Sequence, residues 1–214
     1  MRKSIAVLGL GRYGISLAKS MYDMGSDVLI VDIDDEKLKE CAEFSTSAIC
    51  ADLSNEDEVK NLGLQNMDIV AVAMAGNLAA SIMSVAVAKE ENVPLIVAKS
   101  STDRMSTILK KIGADKIIVP EEYGGQQSAR ILSSDTFLDY FQVDDSLSMV
   151  EMNPLGKWVG KNLIDLNLRK KYKINVVAIK EGGHWKVVDP QEPLTEKHHL
   201  LIFAEKEDLK RIDK

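Results

Sequence analysis

The sequence predicts an α/β fold, a doubly wound parallel sheet followed by a smaller α+β lobe. Three observations carry this. Short apolar runs recur six times along residues 4–119, as strands buried on both faces require. A helical stretch separates each run from the next, so successive strands lie parallel with right-handed crossovers. Beyond residue 138 the alternation stops, and short strands and a Gly182-Gly183 hairpin turn take over. The chain therefore divides into 1–138 and 139–214, and its 214 residues suffice for two lobes with their own cores.

Each element has a local reason. Residues 4–10 are the first strand, and residues 13–24 carry helical periodicity. Val28-Leu29-Ile30-Val31 is the second strand. Residues 35–44 read as a helix opened by acids, which suit the positive end of its dipole. Residues 47–51 are a short third strand. Ser54-Asn55-Glu56-Asp57 is a capping signal for a helix ending at Leu62. Residues 68–73 are the fourth strand, 77–91 a long helix rich in Ala and Ser, and 94–98 the fifth strand. Thr102 or Asp103 caps a helix through Ile112, Gly113 ends it, and 116–119 is the sixth strand. After Gly124-Gly125, residues 126–133 read as a polar helix. In the second lobe Val150 marks a short strand and 163–172 a helix. A strand over 174–180, its hairpin partner over 185–188, a strand over 200–204 and a helix over 207–212 follow.

Composition excludes several classes. The net charge is -6, and the acid excess lies wholly in the first lobe, so a nucleic-acid partner is not expected. No apolar run approaches the roughly 20 residues that span a bilayer, so direct membrane insertion is not expected either. The opening Met1-Arg2-Lys3-Ser4-Ile5 runs straight into a strand without a signal pattern. Cys41 and Cys50 form no CxxC pair and read as reduced structural thiols of a cytoplasmic protein.

Gly9-Leu10-Gly11-Arg12-Tyr13-Gly14 is a GxGxxG loop between the first strand and the first helix. In that Rossmann-like setting Gly9 permits the tight turn, Gly11 admits a pyrophosphate to the backbone, and Gly14 allows close helix packing. The helix N-terminus presents free N–H groups to an anion. Asp32, at the end of the second strand, is placed to take ribose hydroxyls and would repel a 2′-phosphate. Arg12 is a candidate phosphate clamp, since a cation at a helix N-terminus is unfavourable without an anion. Asp52 has two readings, a wall of the adenine side of the crevice or a cap for the Ser54 region. ATP, ADP and NAD(H) all share the parts such a loop grips.

With Val31-Asp32-Ile33-Asp34, Ala51-Asp52-Leu53 and the stretch Leu109 to Glu121, the loop resembles the RCK (KTN or TrkA-type) family. Leu163-Ile164-Asp165-Leu166-Asn167-Leu168-Arg169 and Ile174-Asn175-Val176-Val177-Ala178-Ile179 look like that family's C-terminal domain. The resemblance covers nearly the whole chain and is closest to regulatory subunits of Ktr-type potassium uptake systems. It implies a cytosolic regulator, peripheral to the membrane through a potassium-transport subunit. It also implies a homo-oligomer, dimers in an octameric ring that changes shape between ATP- and ADP-bound forms. Carried over by motif, the nucleotide contacts are Gly9, Arg12, Tyr13, Gly14, Asp32, Asp52 and Lys99. Glu121 matches an acid beside the phosphates at the dimer interface, where it makes sense with a Mg²⁺ or Na⁺ ion held by hard oxygens. In related regulators the C-terminal dimer binds cyclic di-AMP, and Arg169, Asn175 and Pro190 resemble residues used there. Arg169 would pair with a phosphate, Asn175 would read an adenine edge, and Ile164, Ile174 and Pro190 would pack on the base.

The alternative is a small NAD-dependent oxidoreductase, because the loop alone does not give function. Such an enzyme needs a general acid or base beside the nicotinamide. His184, His198 and His199 all lie in the second lobe at positions that read as surface, no GxSxG elbow is present, and no metal-ligand spacing of His and Cys occurs. The expectation is a binding protein that is not an enzyme.

Overall fold

The computed structural model describes residues 2–132, 136–144 and 146–212, which fall into two compact units, Met1–Tyr123 and Gly124–Lys214. The first alternates strand and helix: β1 (Ser4–Leu8), α1 (Arg12–Asp23), β2 (Asp27–Asp32), α2 (Asp35–Glu40), β3 (Ser47–Cys50) and α3 (Glu56–Lys60). β4 (Ile69–Val72), α4 (Leu78–Glu90), β5 (Leu95–Lys99), α5 (Asp103–Ile112) and β6 (Lys116–Ile118) complete it. The strands form one parallel sheet in the order β3-β2-β1-β4-β5-β6. The order reverses between β1 and β4, the switch point where open α/β sheets bind ligands.

The continuous apolar runs have a direct cause. On β1, Ala6 and Leu8 enter the core on one face of the sheet while Ile5 and Val7 enter the core on the other. β2 repeats this with Leu29 and Val31 against Val28 and Ile30. A period of two with both faces covered leaves no polar position. Of the two cap candidates for α5 it is Thr102 that accepts from the Met105 N–H, and Asn77, expected as the first helical residue, is the cap of α4 and accepts from the Ala80 N–H. Asn55, inside the expected Ser54 signal, caps α3.

The second unit carries a five-stranded antiparallel sheet, order β10-β9-β11-β8-β7. Its strands are β7 (Phe137–Gln142), β8 (Leu147–Met152), β9 (Asn175–Glu181), β10 (His184–Val187) and β11 (His199–Glu205). β8 alternates partly exposed with buried positions, the mark of a sheet with one covered face. Val150, Met152, Leu200 and Ile202 pack with Trp158, Ile174 and Ile179, and Trp158 meets Tyr172 edge to face at 5.8 Å.

Several boundaries differ from expectation. α6 begins at Pro120 and runs to Leu132, through Gly124 and Gly125. Proline is favourable in a first helical turn, and the acids Glu121 and Glu122 suit it. The expected 163–172 helix is two pieces, α7 (Leu163–Leu166) and α8 (Leu168–Tyr172), because Asn167 adopts a left-handed conformation with φ 47°. α2 stops at Glu40, with a separate 3₁₀ turn Ala42–Phe44 after it. The last helix, α9, spans Lys206–Leu209. Strand β7 was not expected at all.

Candidate functional site

The glycine loop joins β1 to α1 at the switch point. Gly9 has φ +98° and donates its N–H to the Val31 carbonyl at 2.8 Å, pinning the turn to β2. A Cβ on Gly14 would lie 2.0 Å from the Gly9 carbonyl oxygen, so only glycine lets α1 enter this close. Gly11 is the N-cap of α1, and a Cβ there would meet nothing within 4 Å. That open space lies over a helix N-terminus with no acid in its first turn.

Asp32 is 8% exposed and is held on both oxygens. Oδ2 accepts from the Leu10 N–H at 2.6 Å, and Oδ1 from the Asp34 N–H at 3.0 Å. Lys37 Nζ approaches Oδ1 at 3.5 Å. Each carboxylate oxygen has two lone-pair sites, so capacity for a hydroxyl remains. Asp32 therefore builds the loop whether or not a ligand is present. Asp52 is not the helix cap, a place Asn55 takes, but it braces the Ser54 turn. It shares a crevice of about 90 Å³ with Asp32, Met74 and Asn77, and its Oδ1 accepts from the Ser54 N–H and hydroxyl. Those two bonds, the hydroxyl's first, hold its carboxyl below the ordinary range.

A larger cavity, about 640 Å³, opens by the loop, lined by Gly11, Arg12, Tyr13, Ser16, Ala73, Lys99, Pro120 and Glu121. Burial raises the Tyr13 hydroxyl's pKa. Lys99 Nζ and Glu121 Oε1 are 2.7 Å apart, and this bond holds the Glu121 carboxyl low. The residues fit a phosphate-bearing nucleotide: an open cradle at Gly11, two cations, and a carboxylate on the ribose side. A nucleotide bound there would bring its own anionic charge to Arg12 and Lys99.

In the second unit a cavity of about 460 Å³ is lined by Leu163, Ile164, Asn167, Leu168, Arg169, Ile174, Asn175 and Val176. Pro190 is not among its lining residues and meets α7 through its backbone. Its carbonyl accepts from the N–H groups of Leu163 at 3.1 Å and Ile164 at 3.3 Å, supporting α7 beneath Ile164. Arg169 and Asn175 are exposed, while Ile174 is buried as a floor.

Sequence reasoning missed three features. Lys37 stands in the first turn of α2, and its approach to Asp32 has no motif. His198 is buried, 1% exposed, not at the surface. With Glu181 and Glu192 it forms a group whose ligand atoms lie within 4.8 Å of one another. Lys186 supplies the cation there, bonding Glu181 at 2.9 Å and Glu192 at 2.8 Å. The Thr195 N–H donates to His198 Nδ1, which places the neutral ring's proton on Nε2, toward Glu181. A proton on Nε2 suits an anion and opposes a metal, so this group is an ion-pair network.

The fold and the loop define a nucleotide-binding α/β unit joined to a separate antiparallel domain. The TrkA-N domain family matches residues 5–120 and the TrkA-C domain family residues 147–214. The Ktr system potassium uptake protein A of Bacillus subtilis (strain 168) is 38% identical over 212 residues, covering 99% of this chain and 96% of that protein. Protein C of the same organism is 37% identical over 216 residues, with 100% and 97% covered. The crystal structure of the GsuK RCK domain superposes with a TM-score of 0.67 at 14% identity, over 100% of this chain and 47% of that chain. The chain belongs to the TrkA-type (RCK) family of potassium-uptake proteins, as the resemblance implied. Among the described residues no helix is long and apolar enough to cross a membrane.

Proposed function

We propose that the chain is a regulatory subunit that binds a nucleotide without turning it over and gates a membrane potassium-transport partner. The observation that carries this is the open cradle at Gly11 beside a cavity holding Arg12 and Lys99. The two cations suit the phosphates that ATP, ADP and NAD(H) all carry. Gly9 and Gly14 set the turn, Tyr13 walls the cavity, and Asp32 and Asp52 face the ribose and adenine side. Glu121 is the oxygen ligand for a Mg²⁺ or Na⁺ ion that accompanies ATP. The three histidines all belong to the second unit, and no histidine lines either cavity described in the first.

The functional division is a nucleotide-binding domain over 1–138 and an effector and dimerisation domain over 139–214. Cyclic di-AMP is the proposed effector, held by Arg169 and Asn175 over an apolar floor of Ile164, Ile174 and Pro190. A two-fold-symmetric ligand suits an interface in which two copies present the same residues. α4 supports assembly of the first domain. It is rich in small and apolar residues, and Leu78 on it stays exposed. The proposed assembly is an octameric ring, peripheral to the cytoplasmic side of the membrane through its transport partner.

Calorimetry on the full chain with ATP, ADP and NADH tests the reading, with light scattering for the ring mass. Tight binding of ATP and ADP with no hydrolysis is expected. Substrate-dependent oxidation of NADH would instead support the oxidoreductase.

A further inference from the structure

Lys99 and Glu121 form an ion pair inside the cavity that the nucleotide reading fills. The pair is asymmetric. Lys99 ends β5 with its side chain 16% exposed, while Glu121 is 63% exposed in the first turn of α6. The lysine is thus held at the edge of the sheet and the glutamate comes to it. Gly11 and Arg12 line the same cavity. A phosphate at the glycine loop and the Glu121 carboxylate are chemically alike, two oxygen anions seeking one ammonium.

We propose that the Lys99–Glu121 pair is a latch that the terminal phosphate of a bound nucleotide opens, taking Lys99 and releasing the first turn of α6. This rests on the nucleotide reading above. Without ligand, the pair ties α6 to the end of β5. With ligand, Lys99 neutralises phosphate and Glu121 is left at a helix N-terminus. The dipole favours a carboxylate there, so its release is tolerated. The freed carboxylate then becomes available to a hard cation. By reciprocity, whatever the closed latch contributes to the ligand-free state is subtracted from nucleotide affinity.

A double-mutant cycle tests this on the full chain, by calorimetry with ATP in EDTA. Glu121→Gln should bind ATP about two- to fivefold tighter, because no carboxylate competes for Lys99. Lys99→Met should bind about tenfold weaker, or more. In the Lys99→Met background, Glu121→Gln should change nothing. Equal tightening in both backgrounds would mean only that a negative charge near phosphate had gone, and would overturn the latch while the site stands. No tightening in Glu121→Gln overturns it too. Wild type that binds neither ATP, ADP nor NADH overturns the site and the latch together. Circular dichroism checks each fold, and Lys99→Gln replaces Lys99→Met if the latter unfolds.

Discussion

Replacing Gly11 by alanine separates ligand binding from folding. The Cβ meets nothing within 4 Å, and the residue's φ of -77° suits any L-amino acid. Alanine restricts the unfolded chain, a gain of about 0.4–1 kcal/mol. Alanine is also the poorer N-cap, a loss of similar size. The two offset, so stability should stay within about 1 kcal/mol of wild type. The methyl nevertheless enters the space a pyrophosphate would occupy. Forcing a methyl into a filled contact costs about 1–3 kcal/mol, or about 5- to 150-fold in affinity. Gly14→Ala is the opposite case. Its Cβ would sit 2.0 Å from a backbone oxygen, so the loop itself must move. That variant should lose about 3 kcal/mol or more of stability. Urea unfolding and calorimetry with ATP read both quantities. Folded Gly11→Ala that binds ATP like wild type would refute the assignment of this loop as a phosphate cradle.

Asp32→Ala should destabilise the ligand-free chain by about 1–3 kcal/mol, because the Leu10 N–H loses its acceptor; an unchanged urea midpoint contradicts that anchoring role. Arg169→Ala should weaken cyclic di-AMP binding by about tenfold or more and leave ATP binding unchanged. Equal loss for both ligands, or for neither, removes Arg169 from a separate effector site. Acid should destabilise the chain in a defined window. Asp68 accepts the Ser4 backbone N–H and hydroxyl, joining the start of β1 to the residue before β4, and these bonds hold its carboxyl low. A depressed carboxyl contributes stability above its unfolded pKa and loses it as pH falls through the folded one. The loss therefore begins near pH 4 and deepens below it. Asp68→Asn should flatten that acid slope, and an identical slope would show that Asp68 does not set it.

The first domain was legible because its physics is local and repetitive. Strands covered on both faces leave unbroken apolar runs, and the caps at Asn77 and Thr102 stand one residue before their helices. The second domain was harder. Strand β7 was missed because Phe137-Leu138-Asp139-Tyr140-Phe141-Gln142 does not alternate apolar with polar residues, although the turn-favouring sequence Ser133-Ser134-Asp135-Thr136 precedes it. The break at Asn167 depends on one side chain tolerating a left-handed backbone, which helical periodicity does not reveal. α6 was begun too late because Gly124-Gly125 reads as punctuation, while a helix already started by Pro120 and two acids carries two glycines at about 1 kcal/mol each. At the site, the glycines and Asp32 were visible as a motif. The Lys99–Glu121 pair was not, since the strand order alone brings the end of β5 beside the start of α6.

In the proposed function, nucleotide state controls a potassium pathway in another protein. A ligand shifts a partner only by its differential affinity for two states, typically about 1–3 kcal/mol per coupled pair of sites. Potassium flux through a reconstituted Ktr-type transport subunit carrying this chain, measured in ATP and then in ADP, tests it most directly. Higher flux is expected with ATP, and lower flux with ADP, at saturating concentration. Equal flux in the two nucleotides, with both shown to bind, would contradict it.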